Sequence, residues 1–425
     1  MDKKLKGWGS VKARYDGAIS PVVGEAFKLT SDATVITIGS CFARNIEEHL
    51  SVIGVTLPAF EFVAPYAEST NRPNGILNKF TPSAIKEELA WAHSVLFENV
   101  DFNQSIDKFR YEITSEEVID LQLNYAPVTN KRFIERRAQI LEIYKEMRSA
   151  DCVTITLGLV ERWLDTKNSL SIFGAPTTKE LLREKDRFQF APLSFSEAKA
   201  ETQAMIEIIH KINPKIKVLI TTSPVPLNKT FKNEDVVVAN MQSKSTLRAV
   251  CGEICEEFNN VCYFPSYEMV TFRDPELAFG EDLRHVNDHV VGDVVQLLVD
   301  SYFQNVDHFD KLVRRSLGDL TAKKKNTPAM LEALRSADSG SLNKSMALIL
   351  ARVAWRCGQK SLSHEMLCRY FSFDSTDIRD IKALNYIAVQ NKMFVEYEKY
   401  LTKVLEVDPT NERAVKFIEH LTSFD

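Results

Sequence analysis

The stretch TVITIG (34–39), running straight into SCFAR (40–44) and NIEEHL (45–50), is where the fold of this chain can be read. β-Branched residues lose side-chain freedom in a helix and pack well on a pleated surface, so Thr34–Ile38 predicts a strand. Gly39 closes that strand, and the residues after it predict a helix. Three more runs share this composition and end next to Gly, Ser or Pro: CVTITLG (152–158), KVLITTS (217–223) and VCYF (261–264). Helical patterns fill the intervals, at 81–96, 131–150, 194–212 and 240–258. Nearly continuous apolar strands alternating with helices predict an α/β fold, a parallel sheet buried on both faces by crossover helices. In such a sheet ligands collect beyond the carboxyl ends of the strands, so chemistry is expected directly after these four runs.

Composition narrows the function classes. The chain has 425 residues, 44% hydrophobic and 26% charged, the balance of a globular protein of two or three domains. Its formal net charge is −5, with no basic stripe interleaved with aromatics, so no nucleic-acid partner is expected. No apolar run is long enough to span a bilayer, and the opening MDKKLKGWGSVKARYDG has no apolar stretch behind its charges. The expectation is a cytoplasmic protein without a transmembrane segment. Seven cysteines (Cys41, Cys152, Cys251, Cys255, Cys262, Cys357, Cys368) are an odd, scattered set that suits free thiols better than a disulfide framework. Cys251 and Cys255 lie four apart on a helix but lack the His or second Cys pair of a zinc site, so no metal or cofactor is expected.

The composition shifts at SLGDLTAKKKNTP (316–328), where a basic run and Pro328 interrupt the helical pattern. This reads as a linker between a domain over residues 1–315 and an all-α domain over 329–425. The latter repeats at a spacing of 34: LCRYFSFDSTD (367–377) overlays LTKVLEVDPTN (401–411), pairing Leu350 with Leu384, Ala354 with Ala388 and Asp374 with Asp408. That is the period of the tetratricopeptide (TPR) repeat, and the segment resembles about two such repeats. Two repeats bury little surface by themselves, so this TPR-like domain is expected to pack on the first domain or on another chain, a protein partner.

Two local patterns carry chemistry. At the first, a strand, a turn at Gly39 and a helix start would set Ser40 or Cys41 beside unpaired helix amides, which lower a thiol pKa and bind a developing oxyanion. The same residues also suit a purely structural role, Ser40 as an N-cap and Cys41 as a small core residue. The second pattern is Asp282-Leu283-Arg284-His285, ahead of the apolar VVGDVVQLLVDSYF (290–303). A carboxylate three residues before a histidine can fix its tautomer while the other ring nitrogen acts as a base. Such a pair also serves as a surface contact or helix cap, and Asp288 and His289 are a nearby decoy.

Together these residues resemble a known family. Gly39-Ser40-Cys41-Phe42-Ala43 spells the motif of the GSCFA family, which belongs to the SGNH or GDSL-type hydrolase clan. Thr156-Leu157-Gly158-Leu159-Val160-Glu161-Arg162-Trp163 is similar to the family's TLG-x-x-E-x-W block. Thr222–Leu227, the run NMQSKSTLR (240–248) and Tyr263–Glu268 resemble its later blocks, so the resemblance covers roughly residues 30 to 305. It implies a three-layer α/β/α sandwich with a parallel sheet and the clan's chemistry, an acyl-ester hydrolase or O-acyltransferase. Asp282 and His285 match the clan's final Asp-x-x-His. Laying Gly39-Ser40-Cys41 over the clan's Gly-Asp-Ser puts Cys41 first and Ser40 second as nucleophile. The clan's oxyanion Asn is replaced by Val160, so Gly39, Gly75, Asn78 and Gly158 are the candidate oxyanion or substrate-binding groups, with Glu161 ordering the site. The implied substrate is an acylated small molecule or glycan, as in polysaccharide modification. The competing reading, supported by Val160 and the exchange of Ser for Cys, is a degenerate hydrolase fold that binds partners through its TPR-like tail.

Overall fold

The computed structural model describes residues 7–12, 18–24, 26–65, 68–69, 72–321, 324–337 and 342–371. Among these, residues up to Glu47, Val55–Ala59 and Leu77–Asn305 form one compact unit. Glu48–Gly54, Phe60–Ile76 and the residues from Val306 onward form a second.

The first unit is mixed α/β. In chain order its strands are β1 (Val35–Gly39), β2 (Arg110–Glu112), β3 (Glu117–Asp120), β4 (Val128–Thr129), β5 (Cys152–Leu157), β6 (Trp163–Asp165), β7 (Leu170–Ile172), β8 (Phe188–Phe190), β9 (Lys217–Thr222) and β10 (Val261–Tyr263). All four strands expected from the sequence, β1, β5, β9 and β10, form one sheet in the order β1-β5-β9-β10. Every pairing in it is parallel. Register aligns Ile38 with Ile155, Ile155 with Ile220 and Ile220 with Tyr263, so the four carboxyl ends finish nearly level. Every residue of β1 and β5 is buried, as the apolar runs require of strands covered on both faces.

The helices follow where caps allow. They are α1 (Cys41–Leu50), α2 (Pro82–Phe97), α3 (Asn130–Glu146), α4 (Phe195–Ile212), α5 (Val236–Glu257) and α6 (Asp288–Tyr302). Thr81 caps α2 by accepting from the Ala84 amide. Ser194 and Glu197 form a reciprocal capping box on α4. α5 starts before the expected residue 240 because the Asp235 side chain accepts from the Val237 amide and nucleates the helix there. α2 packs on α4, α4 on α5, and α5 on β9 and β10.

Six short strands form two antiparallel sheets, β2-β3-β4 and β7-β6-β8, that the sequence reading does not contain. None exceeds four residues, too short for alternation to register as a pattern. The first of these sheets is tied to the helices by buried charge at β3. Arg137 of α3 pairs with Asp120 of β3 and, at 3.2 Å, with Glu88 of α2, while Lys79 reaches Glu88 at 3.0 Å. The Tyr144 hydroxyl donates to Glu88 at 2.8 Å, and the Arg137 guanidinium lies 3.7 Å from the centre of the Phe109 ring.

The second unit holds the helices α7 (His308–Thr321), α8 (Pro328–Ser336), α9 (Lys344–Arg356) and α10 (Lys360–Tyr370). Val313, Met330, Leu350 and Leu367 meet in its core. Of the stretch read as a linker, Ser316–Thr321 completes α7, with Leu317 and Leu320 buried, and Pro328 opens α8 under a Thr327 cap. α9 and α10 are one helix-turn-helix pair, joined through Gly358 at a φ of 82°, and Ala354 is buried in it. The second copy of the 34-residue pattern, 401–411, lies outside the described residues. No described helix is long and apolar enough to cross a membrane.

Candidate functional site

The carboxyl ends of β1, β5 and β9 carry a row of small hydroxyl side chains. Gly39 sits at a φ of 134°, and a Cβ there would collide with the Thr156 carbonyl and hydroxyl, so only glycine lets β1 come so close to β5. Ser40 follows. Its amide donates to Thr156 Oγ1 at 2.9 Å, and its own hydroxyl donates to Ser223 Oγ at 3.0 Å. The same oxygen accepts from the Phe42 amide at 3.3 Å, an N-cap bond on α1. Ser40 is 2% exposed. Cys41, the first residue of α1, is only partly buried. Arg44 anchors that helix by donating to the Thr37 carbonyl of β1 at 3.0 Å and pairing with Glu47 at 2.9 Å.

Beyond these strand ends lies a cavity of about 310 Å³. Ser40 and Cys41 line it, together with Asn78, Gly158, Glu161 and Ser223. Aromatic rings form much of its wall: Phe80 packs on Phe173 at 5.4 Å, and Trp163 meets Phe231 edge-on at 4.9 Å. Lys229 and Arg284 add positive charge to the lining.

The other sequence candidates divide by role. Asn78 reaches the cavity, and its Oδ1 is buried without a hydrogen-bond partner. Gly158 also lines it, but its amide donates to the Phe80 carbonyl at 2.9 Å, so that N–H shapes the turn and is not offered to a ligand. Glu161 accepts from the Thr230 hydroxyl at 2.7 Å and from the Phe231 amide at 3.4 Å, which orders the loop after β9. Gly75 is not brought to the cavity: it falls in the second unit, beside Ser69.

Asp282 and His285 form the expected pair, Oδ2 to Nδ1 at 2.5 Å, and the same carboxylate accepts the His285 and Arg284 amides. These bonds, the His285 amide first, hold the Asp282 carboxyl down at about 2. The His285 side chain is 63% exposed. His285 itself does not line the cavity; its neighbour Arg284 does, and the Arg284 guanidinium faces His285 Nε2 at 2.9 Å. The hydrogen bond to Asp282 leaves Nε2 as the acceptor toward Arg284.

Residues 34–297, more than half of the chain, match the GSCFA family. The chain belongs to the GSCFA family. No curated protein and no solved structure matches it. In this GSCFA chain, sequence reasoning missed the work of the NMQSKSTLR block. Asn240, Ser243, Lys244 and Arg248 recur at helical spacing on one face of α5, and that face points inward. Asn240 Oδ1 accepts from the Leu227 amide at 3.0 Å and Ser243 Oγ from the Val160 amide at 2.9 Å. Lys244 Nζ donates to the Gly158 carbonyl at 2.6 Å, and Arg248 pairs with Glu268 at 2.6 Å. One polar helix face therefore sets the turns after β5 and β9. Periodicity alone would assign such a face to solvent. Among the described residues no group of three or more His, Cys, Asp or Glu side chains is arranged to hold a metal ion.

Proposed function

We propose that this GSCFA protein is an SGNH-like acyl-ester enzyme, a hydrolase or O-acyltransferase built on an α/β/α sandwich, with Cys41 as nucleophile and the Asp282–His285 pair as its acid–base group. The observation that carries the reading is the partly exposed thiol at the start of α1, opening on a cavity that the loop of the Asp282–His285 pair also lines. Ser40 is the weaker nucleophile because its hydroxyl is buried and already engaged as donor and acceptor.

In the first half-reaction the Cys41 thiolate attacks the acyl carbonyl carbon. The C–S bond forms, the ester C–O bond breaks, and His285, which has taken a solvent proton on Nε2 once Arg284 has swung away, delivers that proton to the leaving oxygen. In the second, neutral His285 takes a proton from water or an alcohol as that oxygen attacks the thioester, and the thiolate leaves. Asp282 holds Nδ1–H throughout and keeps Nε2 as the working nitrogen. Arg284 has to swing off Nε2 for either step. The cavity volume and its aromatic wall suit an acylated sugar or a similar polar metabolite, whose apolar ring face packs on Trp163 or Phe173.

The test is acylation by a small activated ester, read by mass spectrometry. An adduct on Cys41 that is absent in Cys41→Ala, with turnover down about 10²-fold or more in His285→Ala, is the expected result. The second reading, a binding protein on a degenerate hydrolase fold, draws support from Arg284 occupying His285 Nε2 and from Val160 in place of an oxyanion donor. It predicts no selective adduct on any residue.

A further inference from the structure

A lysine with no carboxylate to pair with is costly to bury, because an unpaired ammonium loses its hydration without Coulombic return. Among the described residues Lys244 is such a residue. It is 1% exposed, and its Nζ donates to a neutral acceptor, the Gly158 carbonyl at 2.6 Å. Gly158 and Cys41 line the same cavity. Of the other cations around this site, Lys79 is committed to Glu88, Arg248 to Glu268 and Arg284 to His285, while Lys229 is exposed and lies over the Phe231 ring.

We infer that Lys244 is the proton partner of Cys41, so that the resting site holds a thiolate–ammonium pair in which His285 takes no part. The transfer breaks the Cys41 S–H bond, and the proton goes to the Nζ lone pair. The resulting ammonium keeps one N–H on the Gly158 carbonyl, and Gly158 and Cys41 each lie two residues beyond the Gly39–Thr156 register pair, on the wall of the same cavity. Two observations support this. Burial pulls the Lys244 ammonium down to about 7, and Cys41 is the titratable side chain that acts against that shift. His285, by contrast, has its Nε2 facing Arg284. A base other than His285 for the thiol proton frees His285 to serve the leaving and entering oxygens.

The inference rests on the acyl-transfer reading for the purpose of Cys41, but its test does not use an ester. Alkylation of Cys41 by iodoacetamide in the full chain is followed by mass spectrometry from pH 6 to 10, with the other cysteines as internal references. Wild type should show a midpoint below the ordinary thiol value of about 8.5. Lys244→Met and Lys244→Gln should each raise that midpoint by about one pH unit or more and slow alkylation at pH 7 about tenfold, while His285→Ala leaves it in place. Lys244→Gln retains a donor for the Gly158 carbonyl, so it separates loss of the amine from loss of the hydrogen bond. Unchanged midpoints in both lysine variants, or a wild-type thiol no more reactive than the buried Cys152, would overturn the pairing. A midpoint that depends on Lys244, in a protein that turns over no acyl ester, would uphold the pairing and remove the acyl-ester reading.

Discussion

At the scale of single residues, two adjacent side chains with the same apparent qualification separate cleanly. Ser40 and Cys41 both follow a β-branched strand and a glycine, yet the hydroxyl caps α1 and bonds Ser223, while the thiol opens on the cavity. Ser40→Ala should therefore cost about 1–2 kcal/mol in urea unfolding yet leave acyl labelling of Cys41 intact. Loss of labelling with unchanged stability would reverse the two roles. Gly39→Ala should be harsher. It places a Cβ against the Thr156 backbone at a φ that L-residues avoid, and we expect at least about 2–3 kcal/mol of destabilisation by the same measurement. The cysteine and the Asp282–His285 pair were legible because a motif and a short spacing mark them. Lys244 was not, since a lysine on a helix is ordinarily solvated and only the folded environment removes its water.

At the scale of elements, polar residues do structural work in the interior. Ser243 satisfies the Val160 amide from α5, and its replacement by Ala would leave a buried N–H unpaired. A loss of about 1–3 kcal/mol in urea unfolding is expected for Ser243→Ala, together with slower acylation as the turn after β5 loosens. The charge cluster beside β3 is more demanding. Glu88 alone faces Lys79, Arg137 and the Tyr144 hydroxyl, and burial is what pushes that phenol well above its ordinary range. Glu88→Ala strands the buried Lys79 and removes one of two carboxylates from Arg137, for which about 3–5 kcal/mol is expected from chemical denaturation. The α2, α3, α4 and α5 periodicities could be read in advance because each helix buries one apolar stripe. The strands β2 to β4 and β6 to β8 could not, because a two- to four-residue strand is defined by its partner and not by its own sequence.

At the scale of the whole molecule, pH reaches stability through His49, near the end of α1. Burial first, then the Arg314 and Arg72 charges, lower its pKa to about 3. An unfolded histidine titrates near 6.5, so between about 6.5 and 3 the unfolded chain takes up a proton that the native state refuses. Stability from this group is complete above about 6.5 and falls as the pH drops, at up to about 1.4 kcal/mol per pH unit. The urea midpoint of wild type should fall from pH 7 to pH 5 more steeply than that of His49→Gln. Parallel slopes would show that His49 is not the group responsible.

Sequence by itself determined the four strands of the parallel sheet and the helices between them, because β-branched runs and apolar stripes are local properties of the chain. It also marked Cys41, Asp282 and His285, whose residue types and spacings are uncommon enough to stand out. Only the tertiary structure decided that, of two adjacent side chains lining the cavity, the Ser40 hydroxyl is bonded on both sides while Cys41 is partly exposed, and that Gly75 is not among the lining residues. It likewise decided that the Gly158 amide belongs to Phe80, and that Lys244 is buried against the Gly158 carbonyl with no carboxylate partner among the described residues. Those outcomes depend on what each group meets across the fold, and burial, partner and exposure are properties of the packed whole that no residue carries alone.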